Sequence, residues 1–519
     1  MAALRDNAHF DVAVIGFGPA GAVAAALLGQ VGITTLVVDK QHDIYPKPRA
    51  IALDHEIMRV FQQLGLADRI TAHCEPFTPS EYYGADGRLI KRLATVEPPY
   101  PLGHVPSMVF SQPAVEQELR AYVATLPKVR VELGLQCDLL EQDDQRVLVG
   151  FRDGQGARRT VTASYVIGCD GASSTVRELA GLVLDDLDFD EPWLVVDVLV
   201  NQQGLARLPA TSVQYCEPAR PCTYVIGPGN HRRWEISLLP GEDPAYMATP
   251  EGAWQVLSRW ITPDDAQLWR QASYRFHALV ADRWRNGRVF IAGDAAHQQP
   301  PFLGQGMCQG VRDVTNLAWK LRAVLAGDAG NTLLDTYGTE RGRHVRRLTT
   351  RIKEIGAVIC ERDPAAARAR DEALIAAAGG TIKTMARQDI IPPLETGLLS
   401  VYAHAANGTL FPQPRLTTAG QPLMDDAIGY GWRVVSRQSP AALAANAATG
   451  ITVLSIAPDG DVHPDVHAYA ECDGVLARWF ERHGCDAALV RPDHYVYGVA
   501  SGRAELAALL QSWRGALLH

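Results

Sequence analysis

Phe10-Asp-Val-Ala-Val-Ile-Gly-Phe-Gly-Pro-Ala-Gly21 is the stretch from which the fold is read. An apolar run, Asp11 to Ile15, leads into Gly16-Phe17-Gly18-Pro19-Ala20-Gly21. An Ala- and Leu-rich segment follows to Val31, and a second apolar run, Thr34 to Val38, ends in Asp39-Lys40. Short apolar runs of this kind suit strands buried on both faces, and the segment between them suits a crossover helix, so the unit is βαβ. GxGxxG by itself is a weak pattern, because any Gly-rich turn can match it. Its context decides: strand before, helix after, and an acid about 20 residues on at the end of the next strand. Gly16 permits the tight turn, Gly18 lets backbone approach a pyrophosphate, and Gly21 lets helix and strand pack closely. The helix N-terminus, which begins around Pro19 and Ala20, offers the free N–H groups of its non-proline residues to phosphate. The Asp39 carboxylate can accept hydrogen bonds from ribose hydroxyls. A dinucleotide is expected here, and this motif alone does not choose between FAD and NAD.

Two later segments bear on that choice. Tyr165-Val-Ile-Gly-Cys-Asp170-Gly171-Ala-Ser-Ser174-Thr-Val-Arg177 is a strand followed by DGxxSxxR; taken alone it reads as a turn that caps a helix, with Arg177 a surface charge. Arg288-Val-Phe-Ile-Ala-Gly293-Asp294-Ala-Ala-His297 is a strand ending in Gly-Asp, and it runs into Pro300-Pro301-Phe-Leu-Gly304-Gln-Gly306-Met307. A plain loop between strand and helix is the bland reading. Its Gly and Pro content is unusual, and a helix starting near Gly306 presents positive dipole and unpaired N–H groups. A reduced flavin is anionic around its N1–C2 carbonyl, and such a helix start would stabilise that charge.

Elsewhere the chain divides by character. The region up to about Pro101 reads as irregular, with several Pro and Gly. Strand-like pieces occupy Trp193–Val200, Ser212–Cys216, Thr223–Ile226 and Arg233–Leu239, the last two flanking a hairpin connection, Gly227-Pro-Gly-Asn230. They predict an antiparallel sheet inserted into the dinucleotide fold. Residues 306–326 and about 333–375 read as helical. Phe411-Pro-Gln-Pro-Arg415 reads as a linker or domain entry. Beyond it, strands at Thr452–Ile456, Ala487–Val490 and Val496–Val499 and helices at Gly474–His483 and Ala504–Trp513 make a small α/β unit.

The order GxGxxG, DGxxSxxR, GDAAHxxPP…GQG resembles the single-component FAD-dependent aromatic hydroxylases, the para-hydroxybenzoate hydroxylase superfamily, over roughly residues 10–350. Within it, Pro48-Arg-Ala-Ile-Ala-Leu-Asp-His-Glu56, Trp193-Leu-Val-Val-Asp197, Arg312-Asp-Val-Thr-Asn-Leu-Ala-Trp-Lys320 and Leu334-Asp-Thr-Tyr337 with Glu340-Arg341 resemble the 3-(3-hydroxyphenyl)propionate hydroxylases. The resemblance implies an α/β fold: a Rossmann-like FAD-binding domain over 1–400 with an antiparallel-sheet substrate insertion at about 185–280, and a thioredoxin-like domain without CxxC over 401–519. It implies FAD held by Gly16, Gly18, Pro19, Ala20, Gly21, Asp39, Lys40, Arg49, Gln112, Asp170, Gly293, Asp294, Pro301, Gly304, Gly306 and Met307. It also implies reduction by NADH or NADPH, and hydroxylation of a small phenolic acid, ortho to its hydroxyl, through a flavin C4a-hydroperoxide.

A phenol needs a base or a proton relay, and His55, Asp54, Tyr82, Tyr83 and Tyr215 are the candidates, each of which also reads as a structural residue. Arg220 and Arg233 could pair a substrate carboxylate, and read equally well as solvated hairpin charges. His297 reads as a loop-fixing residue. A hydroxylase of larger polycyclic phenols shares the three motifs, and a non-catalytic flavoprotein is the alternative of another class. A halogenase is disfavoured for want of WxWxIP, and a disulfide reductase for want of CxxC.

Composition is consistent with this. The 519 residues are 47% hydrophobic and 21% charged with a net charge of -9, and no basic run marks a nucleic-acid face. Nine scattered cysteines read as reduced thiols, without metal-ligand spacing. Met1 to His9 has no apolar leader core, and no window reaches about 18 apolar residues. The expectation is a cytoplasmic protein whose partners are a phenol and O2, with no metal, membrane or nucleic acid; a homodimer is left open.

Overall fold

The computed structural model describes residues 6–444, 450–456 and 463–518, so part of the leader reading of Met1–His9 lies outside the described residues. The strand His9–Ile15 is the centre of an eight-stranded sheet. It lies parallel between Thr35–Asp39 and Arg158–Gly168, with Val129–Leu133 and Val289–Ile291 added parallel on either side. Val12, Ala13, Val14, Leu36 and Val37 are wholly buried, as strands covered on both faces require. The crossover helix Pro19–Gln30 packs on this sheet through an almost all-Ala/Leu/Val surface.

A nine-stranded, mostly antiparallel sheet stands beside it. Its longest strand, Leu184–Val200, is paired with His231–Ser237 on one side and Ala266–Ala281 on the other. Sequence reading placed this sheet at about 185–280. It also takes in Ser80–Tyr83, Leu89–Ala94 and Lys383–Ala386. The region up to Pro101 is therefore not irregular: it holds Ser80–Tyr83 and Leu89–Ala94, a three-stranded sheet that includes Ala52–Asp54, and the helix His55–Gln63. These strands are short, and Ser80–Tyr83 pairs with Ser212–Tyr215 far along the chain, so no local period announces them.

The helices Gly306–Leu325, Asp335–Cys360 and Pro364–Ala377 follow, the last two separated where Asp363 caps the N–H groups of Ala365 and Ala366. The C-terminal α/β unit is built on a five-stranded sheet with Arg433–Ser436 between Thr452–Ser455, parallel, and Ala487–Val490, antiparallel. Phe411-Pro-Gln-Pro-Arg415 is not a free linker: Phe411 and Gln413 are fully buried, and Gln413 bonds Gln62 and the Leu102 carbonyl. Charge also crosses this junction. Arg59 forks onto Asp425, and Arg491 bridges Glu340 and Asp493 at full burial. Glu340 also takes Lys320 at 2.7 Å. Among the described residues no helix is long and apolar enough to cross a membrane.

Candidate active site

The carboxyl ends of the parallel strands open into a cleft of about 1150 Å3, which brings together segments far apart in sequence. Gly16, Gly18, Pro19, Ala20, Asp39 and Lys40 line it from the first βαβ unit, Arg49 and Gln112 from the segments after it, and Asp170 from the DG motif. Gly293, Asp294, Pro301, Gly304, Gly306 and Met307 line it from the Gly-Asp segment. Of the residues named for FAD only Gly21 does not face it, and its place is structural: a Cβ there would overlap the Gly16 carbonyl. Gly16 itself has φ +103°, and a Cβ would run into the Cys169 carbonyl. At Gly18 and Gly306, by contrast, a Cβ would meet no protein atom, because both look onto the open cleft.

The polar groups of this wall suit a dinucleotide. The helices Pro19–Gln30 and Gly306–Leu325 both begin at the cleft without a side-chain cap, so their first N–H groups are free for an anion. Asp39 is held by the N–H groups of Phe17, at 2.6 Å, and Gln41. Asp294 is exposed to the cleft, and its carboxylate has no hydrogen-bond partner among the described residues. The loop that carries it is fixed from behind. Asp313 accepts from the Gly293 N–H at 2.9 Å, from Arg341 at 2.9 Å, and lies 2.8 Å from His297 Nε2. Burial raises the Asp313 carboxyl, yet His297 and Arg341 outweigh it and hold it below the ordinary range. The DG motif does cap a helix, as its local reading says: Asp170 accepts from Ser174 Oγ and from the Val176 N–H. Arg177 is more than a surface charge, because it donates to the Ala295 and Ala172 carbonyls and ties the two motifs together.

The opposite wall is the antiparallel sheet, which contributes Arg233, Glu235 and Tyr274. Arg233 forks onto Asp197 at 2.7 and 3.2 Å and donates to the Arg49 carbonyl at 2.7 Å. His231 and Arg270 complete the cluster around Asp197, and Arg270 also holds the Pro48 carbonyl. Burial opposes ionisation of Asp197, but Arg233 and His231 keep its pKa below the usual value. Arg220 lies away from the cleft and is paired with Glu242 at 2.6 and 3.0 Å. Glu235, Arg270 and Tyr274 were not singled out from sequence. The available signal was the two-residue period of Arg233-Trp-Glu235, which points Arg233 and Glu235 to one face.

The candidate bases do not gather in the cleft. Tyr82 is fully buried with its hydroxyl unpartnered, and Tyr215 receives a hydrogen bond from Trp260. Burial raises the pKa of both. Tyr83 donates to Glu81. Asp54 caps the helix His55–Gln63 and pairs with Arg312. His55 lines a second, smaller pocket of about 260 Å3, separated from the cleft by the Gly304–Gly306 loop, whose Leu303 and Gln305 face it. Burial depresses the His55 pKa to about 4, so the ring is neutral near pH 7.

Residues 9–352 match the family described as the FAD binding domain. This protein belongs to the FAD-dependent aromatic hydroxylases. Residues 408–515 of the hydroxylase match a second family, the HcaD C-terminal domain. A probable NADH-specific resorcinol 4-hydroxylase of Rhodococcus jostii (strain RHA1) is 38% identical over 96% of this chain and 93% of its own. A 3-(3-hydroxy-phenyl)propionate/3-hydroxycinnamic acid hydroxylase of Mycolicibacterium gilvum (strain PYR-GCK) is 33% identical over 95% of this chain and 89% of its own. In fold, the hydroxylase resembles the flavin-dependent monooxygenase PieE, solved with FAD and substrate, at a TM-score of 0.81 and 22% identity over 99% of this chain and 100% of that one. The cofactor is therefore FAD, and the free helix starts, the open Gly18 and Gly306 positions and the unpartnered Asp294 fit it.

Proposed function

We propose that this hydroxylase consumes NADH and O2 to hydroxylate a single-ring phenol beside its own hydroxyl group. The observation that carries the reading is that the cleft is one continuous space, with cofactor motifs on one wall and a polar sheet face on the other. A ring lying beside FAD would meet both. The chemistry FAD supplies there is transfer of one oxygen atom of O2 to an electron-rich ring carbon, after reduction by NADH. The protein's part is to bind, orient and exclude water. Asp39, Asp294 and the two helix starts would hold the cofactor, and the start of Gly306–Leu325 would stabilise negative charge at the reacting end. Ties from Arg233 and Arg270 to the Pro48 and Arg49 carbonyls would keep sheet and cofactor loop in register.

Both curated relatives act, by their names, on single-ring phenols, and one is named for NADH. Arg220 and Arg233 are engaged by Glu242 and Asp197, which favours a phenol without a carboxylate, resorcinol ahead of 3-(3-hydroxyphenyl)propionate. The test is NADH oxidation by the flavin-loaded protein with each of these two and with a fused polycyclic phenol, product measured against peroxide. Resorcinol-stimulated consumption with a hydroxylated product is expected, and Asp294→Ala should lose the flavin. Protein that takes up no flavin, or whose NADH oxidation no single-ring phenol stimulates, sinks the reading.

A further inference from the structure

Glu235 is a buried carboxyl that lines the cofactor cleft, 5% exposed, with no hydrogen-bond partner among the described residues. Its nearest cation is Arg233, 4.0 Å away and already committed to Asp197 and two backbone carbonyls. A buried carboxyl left without a hydrogen bond in this way is costly unless a ligand completes it. We propose that Glu235 is the base that takes the proton from the substrate hydroxyl, from its place on the sheet wall of the cleft. The inference rests on the phenol reading above.

The groups around Glu235 suit the role. Its own strand brings Arg233 and His231; Leu184–Val200 brings Asp197; Ala266–Ala281 brings Arg270 and Tyr274; the loop before Ile51 brings Arg49. Asp197 takes up Arg233, His231 and Arg270 by hydrogen bonds, which leaves Glu235 only the long 4.0 Å ion pair with Arg233. Burial pushes the Glu235 pKa up to about 7, with Arg233 opposing, which places it where a carboxylate can accept a proton at neutral pH and return it. In the step, the phenol O–H bond breaks, its electron pair stays on oxygen, and the proton goes to a Glu235 oxygen. The phenolate is the more electron-rich ring, and the acid form of Glu235 later releases the proton to solvent through the cleft.

The experiment compares flavin-loaded wild type with Glu235→Gln, using resorcinol across pH 5.5–9 and following both turnover and the ultraviolet phenolate band of bound resorcinol. Expected are a wild-type kcat/KM that rises through an apparent pKa near 7, and loss of that limb in E235Q with a fall of about 10²–10⁴-fold at neutral pH. The phenolate band should vanish in E235Q, and a nitro-substituted, more acidic resorcinol should restore turnover. E235Q with wild-type flavin, phenolate band and pH profile overturns the assignment while leaving the phenol reading intact. So does E235Q in which only the flavin spectrum changes, which would make Glu235 a cofactor contact. Wild type that oxidises no NADH with any single-ring phenol overturns the phenol reading itself. Should E235Q not retain flavin, Glu235→Asp and the wild-type profile decide, and a profile without the limb near 7 counts against the base.

Discussion

In the eight-stranded sheet, Val12, Val14, Leu36 and Val37 are buried on both faces, and what that sheet's connections offer the cleft is mostly backbone: Gly16, Gly18 and the uncapped start of Pro19–Gln30. In the nine-stranded sheet, Trp234 and Ile236 pack beneath helices while their neighbours Arg233 and Glu235 face the cleft. One wall presents mostly N–H groups and shape to the cleft, the other charged side chains. Backbone recognition suits a cofactor that does not vary, because it depends on fold rather than on any one side chain. Side-chain recognition suits a substrate, which one substitution can exchange for another.

The division can be broken from either side. The largest effect is expected from Asp197→Ala, which strips the buried cations Arg233 and Arg270 of their shared carboxylate and leaves only the long Arg233–Glu235 pair. It should cost about 3–5 kcal/mol of stability, read by chemical denaturation, and impair phenol turnover more than flavin content. Equal loss of flavin and turnover would mean that the sheet wall also holds the cofactor. Gly16→Ala is the converse. The overlap with Cys169 and the left-handed φ should cost about 2–4 kcal/mol, with flavin lost and the aromatic near-ultraviolet signal of the antiparallel sheet retained.

A pH scan sharpens the comparison at the junction with the C-terminal unit. His55 is buried and His104 half-buried, and removal from water lowers both to about 4. The unfolded chain takes up their protons first, so their contribution is intact above about 6.5 and is lost as pH falls from there toward about 4. Each should steepen the fall by up to about 1.4 kcal/mol per pH unit, and His104→Gln should remove one such increment from the slope of unfolding free energy against pH. Glu340 follows at lower pH. Burial opposes its ionisation, but Arg491 and Lys320 hold it at about 2, so its share, full above the ordinary carboxyl value of 4.5, disappears as pH drops from there toward about 2. The smallest effect belongs to the half-exposed pair Arg259–Glu217 on the outer side of the antiparallel sheet, where Glu217→Gln should change stability by less than about 1 kcal/mol.

How far each wall was legible follows from the same difference. The cofactor wall could be read because backbone chemistry forces the residue type: only glycine accepts the Gly16 turn and the contact at Gly21, and this leaves a spaced pattern in one short segment. The Gly-Asp loop and the helix start at Gly306 were legible for the same reason. The sheet wall was not. Asp197, Arg233, Glu235 and Arg270 lie on three strands joined only by pairing across the sheet, and each alone reads as an ordinary strand charge. The short strands in the segment before Pro101 and the buried Gln413 escaped for a related reason, since they have partners far away in the chain.

The sequence by itself therefore determined the βαβ unit and the dinucleotide, because these rest on local backbone geometry, and its three ordered motifs carried the resemblance that implied FAD. Only the tertiary structure decided that Arg220 and Arg233 are already paired, that the C-terminal unit is bound through buried ion pairs, and that Glu235 has no hydrogen-bond partner among the described residues. Whether a charge is satisfied depends on what the fold brings to within a few ångströms, and no spacing along the chain records that.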